Sequence, residues 1–330
     1  MQQLFNKDDK NLLAFSAGID STALFYILKD HNIEFDIAIV DYGVRDQSKI
    51  EVTYAKKLAE KYNKNIYLKL YDDIKFNEKL ARDFRYKFFE EIIEEYGYDN
   101  LITAHQLNDR LEWFLMQFTK GAGVSELLSF DACEQRDGYK LVRPILDKSK
   151  EELEEYLDER EITYFIDDTN TDTKFKRNYF RLEYANKLIS EFKDGIINSF
   201  DYIQNDIDSL NKLSKLIYKK KSLSVYSFNG DKNIAIKVID KELKQRGILV
   251  SKATRDEILA QNEIVISGKV AISIAQYRIW ISPVSSHGMM KEFKEVCRKN
   301  KIPKNIRAYL NIIYEKHEEM VKSLHENLVI

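Results

Sequence analysis

The chain has 330 residues, 44% of them hydrophobic and 32% charged, with a formal net charge of −2. That is enough apolar material for two domains, or for one large domain with appendages, and no run approaches the ~18 apolar residues of a membrane span. Acidic residues at Asp8 and Asp9 interrupt the N-terminus before any signal-peptide pattern, and two distant cysteines, Cys133 and Cys297, form no C-x-x-C pair or disulfide framework, so a cytoplasmic location is expected.

Residues 12–15 are an apolar run that reads as a short buried strand, and Thr22, Ala23, Leu24, Phe25, Ile27 and Leu28 recur on one face of a helix. Between them lies Ser16-Ala17-Gly18-Ile19-Asp20-Ser21. A small-residue turn into a helix N-terminus presents free backbone N–H groups to an anion such as phosphate. Gly18 permits close backbone approach, Ser16, Ser21 and Thr22 add hydroxyls, and Asp20 suits a metal ion bridging phosphates. No lysine follows in a G-K-[ST] pattern, so this is not a Walker A loop. An ordinary glycine-containing turn is the structural alternative.

Residues 35–40 read as a second strand, and Ser48-Lys49-Ile50-Glu51 is a capping-box signal for a helix to about Tyr62. Residues 65–71 read as a strand, 77–96 as a long helix and 101–104 as a short buried strand. A helix from about Leu107 to Lys120 stops at Gly121-Ala122-Gly123. Residues 141–146 make another strand, and Ser149-Lys150-Glu151-Glu152 caps a helix to Arg160. Strands separated by helices imply an α/β fold, a mostly parallel sheet with helices on both faces. Ligands collect beyond the carboxyl ends of such strands, where residues 16–21, Asp41 and His105 would lie. Beyond about Phe175 the pattern becomes a smaller helical or α+β C-terminal region. There residues 235–239 and 264–281 look like short strands, with Ser267-Gly268-Lys269 as a hairpin turn.

A second motif follows the strand at 101–104: Thr103-Ala104-His105-Gln106-Leu107-Asn108-Asp109-Arg110-Leu111-Glu112. On a helix, Asp109 and Glu112 share a face, although acidic first-turn residues also arise from helix-dipole stabilisation. Two basic segments stand out, one with Lys174, Lys176, Arg177, Arg181 and Lys187, the other with Lys212, Lys215, Lys219, Lys220 and Lys221. Such runs are ordinarily solvated helix faces, and only context makes them phosphate contacts.

Residues 16–21 resemble the pyrophosphatase (PP) loop, S-G-G-x-D-S, of enzymes that cleave ATP between its α and β phosphates, with Ala17 where that family usually has glycine. Together with the second motif they resemble the tRNA(Ile)-lysidine synthetase family, which carries T-A-H-x-x-D-D-x-x-E-T-x-L-x-x-L-x-R-G-x-G. Thr103, Ala104, His105, Asp109, Glu112, Leu115, Gly121 and Gly123 match, whereas Asn108 replaces the first aspartate and Lys120 the arginine. Glu78, Ala81, Arg82, Arg85 and Tyr86 match E-x-x-A-R-x-x-R-Y, and Arg143-Pro144-Ile145-Leu146 matches R-P-L-L. Asp167, Asn170, Asp172, Arg177, Asn178 and Arg181 match a further stretch in which Ile166 and Thr169 depart from the pattern. A fainter match at residues 301–307 and 312–314 looks like the end of the C-terminal domain of longer members. Asp41-Tyr42 departs from a histidine-containing segment common in relatives.

The resemblance implies a PP-loop, adenine nucleotide α-hydrolase-like fold. Its expected division is a catalytic domain over residues 1–185, a tRNA-binding helical or α+β domain over 186–285, and a C-terminal extension over 286–330. It also implies conversion of the wobble cytidine of the CAU anticodon of tRNA(Ile) to lysidine, with ATP, L-lysine and Mg²⁺, and it admits a homodimer. Ser16, Ala17, Gly18, Ile19, Asp20 and Ser21 would then cradle ATP, with Asp20 near Mg²⁺. Arg85 would neutralise developing phosphate charge or bind the tRNA, with a surface salt bridge to Asp83 or Glu90 as its structural alternative. Asp109 would orient the base or help deprotonate the amine, with His105 and Glu112 as further catalytic candidates. Arg82, Arg177, Asn178 and Arg181 would contact tRNA. A negative φ is expected at Ala17, because a Cβ is costly in the left-handed region. Two other readings stay open: a tRNA-thiolating PP-loop enzyme, which usually needs a cysteine pair, and a non-catalytic tRNA-binding relative.

Overall fold

The computed structural model describes residues 1–43, 46–71, 78–128, 130–166, 174–314 and 316–328. Asp167, Thr169, Asn170 and Asp172 of the family-like stretch lie outside the described residues. Two compact units divide between Ile203 and Gln204; the division implied by the resemblance has boundaries after residues 185 and 285.

The first unit is built on strands β1 (Asn11–Ala14), β2 (Asp36–Asp41), β3 (Ile66–Leu70), β4 (Asn100–Ile102), β5 (Cys133–Gln135) and β6 (Lys140–Val142). They form one sheet in the order β3-β2-β1-β4-β6-β5, parallel except for β5, which runs antiparallel along the edge of β6. Alternation along β1 sends Leu13 and Leu12 to opposite faces. Leu13 packs with α1 (Ile19–Asp30), α2 (Asp46–Lys61) and α6 (Lys150–Asp158) through Leu24, Leu28, Ala55, Leu58, Leu153 and Leu157. Leu12 packs with α3 (Glu78–Tyr96) through Phe88, Phe89, Ile92 and Ile93. The chain order reverses between β1 and β4, so the crevice beyond their carboxyl ends is the topological switch point of the sheet.

Ser149 caps α6 as expected, with Glu152 completing the reciprocal capping box. Helix α2 is already under way at Asp46, two residues ahead of the Ser48 expected to start it. After α4 (Leu107–Phe118) and the short α5 (Val124–Leu127), the chain reaches α7 (Lys176–Phe180), a π-helical turn over Arg181–Ala185, and α8 (Asn186–Asn211).

The second unit centres on an antiparallel sheet in the order β7-β8-β11-β10-β9, formed by β7 (Ser214–Lys220), β8 (Leu223–Phe228), β9 (Glu263–Ile266), β10 (Val270–Ala275) and β11 (Arg278–Pro283). Helices α9 (Lys232–Gln245) and α10 (Lys252–Gln261) cover one face. On the other, α11 (Lys291–Lys299), α12 (Lys304–Ile313) and α13 (His317–Leu328) share a core with Val225, Ala271 and Trp280. The Ser267-Gly268 turn joins β9 to β10 with both residues at positive φ, as a two-residue hairpin requires. Residues 235–239 are not a strand. They lie inside α9, where Ala235, Val238 and Ile239 recur at i, i+3 and i+4 behind the Asp231 cap. The lysine-rich segment from 212 to 221 is mostly strand β7, bonded to β8.

Candidate functional site

The loop after β1 closes on itself. The Ser16 backbone N–H donates to Ser21 Oγ at 3.2 Å, the two serine hydroxyls lie 3.1 Å apart, and Ser21 Oγ donates to the Gly18 carbonyl at 3.2 Å. Thr22 makes the first α1 backbone bond, to Gly18, which leaves the N–H groups of Ile19, Asp20 and Ser21 ahead of the helical ladder. Gly18 itself sits at φ −75°, and a Cβ there would meet only ordinary contacts, 3.5 Å from Ser16 Oγ and 3.8 Å from the Phe165 carbonyl. Neither backbone conformation nor packing within the protein demands glycine at this position.

The expectation for Ala17 is overturned: its φ is +58°. The left-handed turn is held by the Phe165 N–H donating to the Ala17 carbonyl at 3.0 Å, and the methyl group is fully buried in the α1–α2 core. Burying a methyl stabilises by about 0.8 kcal/mol, which offsets roughly half of a left-handed strain of about 1–2 kcal/mol. Ala17→Gly is therefore expected to change stability by less than about 1 kcal/mol and to leave turnover within about twofold of wild type. Urea denaturation and steady-state AMP release check this. A several-fold rise in turnover would show that alanine distorts the loop.

Asp20, at the start of α1, is only partly accessible, and its Oδ1 is shielded without a hydrogen-bond partner among the described residues. Burial, reinforced by the negative charge of Asp109, pushes its carboxyl up to about 7, against the pull of Lys150 and Arg181. The mutual influence of Asp20, Asp109 and Arg181 brings the loop and the second motif into one site.

That motif starts α4. Gln106 caps the helix by accepting from the Asn108 N–H, and Asp109 Oδ2 accepts from the Gln106 N–H at 3.3 Å. The other oxygen of Asp109 faces α7. Arg177 places Nε 2.5 Å from Glu112 Oε1 and Nη2 3.2 Å from Asp109 Oδ1. Arg181 repeats the arrangement, with Nε 2.8 Å from Glu112 Oε2 and Nη2 2.9 Å from the same Asp109 oxygen. Residues three apart on α4 thus meet residues four apart on the α7 segment, and each guanidinium edge straddles both carboxylates. Glu112 is 2% exposed, Arg181 17% and Arg177 38%. Burial would raise Asp109, but Arg181, Arg177 and His105 hold its carboxyl below the usual range. Burial keeps Glu112 above its ordinary value against the same two arginines.

His105 lies just past β4, with Nδ1 2.9 Å from Thr103 Oγ1. Burial, helped by the positive charges of Arg143, Arg82 and Arg177 against Asp109, pushes its imidazole down to about 4. At neutral pH His105 is therefore uncharged.

The structure gathers Asp20, His105, Asp109, Glu112, Arg177 and Arg181, and brings Arg82 within electrostatic reach of His105. Arg177 and Arg181, two of the expected tRNA contacts, face the carboxylates. Arg85 stands beside the Tyr42 hydroxyl, which also reaches the Ala81 carbonyl at 3.4 Å. Asn178 is half-buried on α7.

Two supporting residues escaped the sequence pattern as site residues. Arg143 is buried beside Phe130, donating to the Asp131 carbonyl at 2.8 Å and to Glu134 at 2.9 Å. Its place in the R-P-L-L-like segment was the available signal. Asn108 accepts from the Lys150 N–H at 3.0 Å and donates to Asn186 at 2.8 Å, so its amide ties α4 to the starts of α6 and α8. A carboxylate there could accept but not donate.

A PP-loop domain model matches residues 1–188. The chain is 41% identical over 312 residues to the tRNA(Ile)-lysidine synthase of Campylobacter jejuni, covering 92% of this chain and 93% of that one. It is 40% identical to the Helicobacter pylori protein of the same name, covering 92% and 90%. Among solved structures, the U34-tRNA thiolase NcsA from Methanococcus maripaludis superposes with a TM-score of 0.50 at 16% identity, covering 62% of this chain and 74% of that one, a likeness of fold alone. By sequence, fold and the residues at its switch point, the chain belongs to the tRNA(Ile)-lysidine synthase family of PP-loop proteins.

Proposed function

We propose that this protein uses ATP to join L-lysine to C2 of the wobble cytidine of a CAU-anticodon tRNA(Ile), releasing AMP and pyrophosphate. The observation that carries the reading, besides family membership, is the juxtaposition of an anion-ready loop with a buried pair of carboxylates at one switch point. The C2 oxygen of cytosine is a poor leaving group. Its attack on the α-phosphorus of ATP expels pyrophosphate and leaves an adenylated base. Attack of the lysine ε-amine on C2 then expels AMP, which carries that oxygen away.

The loop N–H groups and Ser16 and Ser21 suit the nucleotide phosphates. The shielded, unpartnered Oδ1 of Asp20 suits a cation, and no cluster of three ligating side chains exists among the described residues to hold one unaided. That donor set fits Mg²⁺ shared between one carboxylate, phosphates and water. When bound, Mg²⁺ supplies charge stabilisation at the phosphate oxygens. Arg85 and Arg82 serve the phosphates of ATP or tRNA.

Free lysine's ε-amine has a pKa of about 10.4, so a proton acceptor is needed at neutral pH. Asp109 and Glu112 are the acceptors closest to hand, and neutral His105 offers a second site for the proton. No helix among the described residues is long and apolar enough to cross a membrane, and we place the enzyme in the cytoplasm with its tRNA. A thiolating role has less support, since Cys297 is buried in the second unit and Cys133 is exposed in the first.

The test is incubation of the full chain with ATP, radiolabelled lysine and each of the two CAU-anticodon tRNAs, for isoleucine and methionine, followed by mass analysis of the product nucleoside. The expected result is a lysine adduct on the isoleucine tRNA with stoichiometric AMP. A sulfur adduct, or no adduct with intact tRNA binding, would refute the reading.

A further inference from the structure

The α7 segment has two faces. Arg177 and Arg181 face α4, while Tyr179, midway between them, lies on the opposite side and is 41% exposed. Residues five apart on an α-helix sit about 140° apart and do not meet. Here the π-helical turn over Arg181–Ala185 widens the coil and carries Tyr184, 43% exposed, alongside Tyr179. Their rings lie 5.7 Å apart at 77°, and their hydroxyls are 3.1 Å apart. Buried Phe180 braces the pair from beneath, with ring centroids 5.9 Å from Tyr179 and 5.8 Å from Tyr184. Phe175, 55% exposed, extends the aromatic surface at the start of α7.

An unusual helical turn is therefore used to expose two fixed aromatic rings rather than to bury them. Cations flank the rings among the described residues. Lys174 and Lys176 are exposed on the same segment, and the one acidic group of the π turn, Glu183, is itself paired with Lys187 at 2.9 Å. A hydrophobic protein partner would not call for flanking lysines, whereas unpaired nucleotides call for both stacking surface and cations.

We infer that Tyr179 and Tyr184 form a stacking platform for unpaired bases of a single-stranded RNA loop, on the outer side of the segment whose inner side holds the catalytic carboxylates. This rests on the proposed tRNA reaction for the identity of the loop. The platform holds neighbours of the target cytidine, so that removing one base from the loop stack is offset by stacking others on protein.

The probe is an anticodon stem-loop RNA with a CAU triplet, carrying 2-aminopurine at the loop purine 3′ to the triplet. Binding by the wild-type chain is expected to quench its fluorescence. Combined Tyr179→Ala and Tyr184→Ala should weaken binding about tenfold or more and abolish the quench. Tyr179→Phe with Tyr184→Phe should retain both, because stacking needs the ring and not the hydroxyl. Both positions are exposed, and thermal melting verifies that each variant folds. Wild-type affinity and quench in the double alanine variant would overturn the platform, as would loss of quench in the phenylalanine variant. Lysine incorporation by the wild type is scored separately. If the wild type quenches the loop and attaches no lysine, the platform stands and the proposed reaction fails.

Discussion

Asp20→Asn is expected to cut AMP release by about 10²–10³-fold, the scale of losing one charge-stabilising group in a preorganised site, while tRNA binding persists. The variant should also invert an ordinary stability comparison. Asp20 has its carboxyl raised to about 7 in the fold. A group raised on folding contributes stability fully present below its unfolded pKa, near 3.9, and lost as pH climbs through about 7. The ligand-free wild type should therefore weaken between pH 5 and pH 8 relative to Asp20→Asn, by roughly 2 kcal/mol given the partial solvent access of Asp20. Magnesium and ATP together should restore the wild type and leave the variant little changed. Melting curves at the two pH values, with and without the nucleotide, measure this alongside single-turnover AMP release. Near-normal turnover of the variant at saturating ATP and magnesium would remove Asp20 from the site.

The second large effect concerns the four-residue lattice on α4 and α7. Asp109→Asn and Arg181→Ala should each reduce lysine incorporation by about 10²-fold or more, and the double variant should be no worse than the poorer single one. The motivation is that each arginine spans both carboxylates at 2.5–3.2 Å, so that removing any member disorders the rest. Glu112→Ala should destabilise the fold by about 2 kcal/mol, because each guanidinium loses one of its two carboxylate partners and keeps only Asp109. A double-mutant cycle in single-turnover lysine transfer, with urea melts of each variant, measures both. Strictly additive rate losses would mean that the arginines act on tRNA phosphates apart from the carboxylates.

The switch-point geometry was legible because parallel α/β folds leave strong local marks. Residues 12–15 and 101–104 are short apolar runs, each followed by small or polar residues, and the Ser149–Glu152 capping box announces α6 by chemistry confined to four positions. The second unit was harder. Residues 235–239 are apolar and mostly β-branched apart from Ala235 and Lys237, which satisfies a strand as readily as a helix until Val238, Ile239 and Leu243 are seen to share one buried face. Strand β7 hid behind its lysines. The Arg177–Asp109 and Arg181–Glu112 contacts join residues more than sixty apart, and no local pattern reports such pairing. Both arginines stood in a basic run, and only the fold shows that their charge is turned inward. Ala17 was misjudged for a related reason: the strain was legible, but the burial that offsets it depends on α1 and α2.

That inward turn fixes where salt can act. Two carboxylates and two guanidiniums cancel within one turn of helix, so from beyond a Debye length of about 8 Å the lattice has almost no field. A polyanion approaching this segment meets the exposed Lys174 and Lys176 ahead of the arginines, whose charge the two carboxylates already hold. Ionic strength accordingly governs how fast RNA arrives, and has little hold on the chemistry once it is seated.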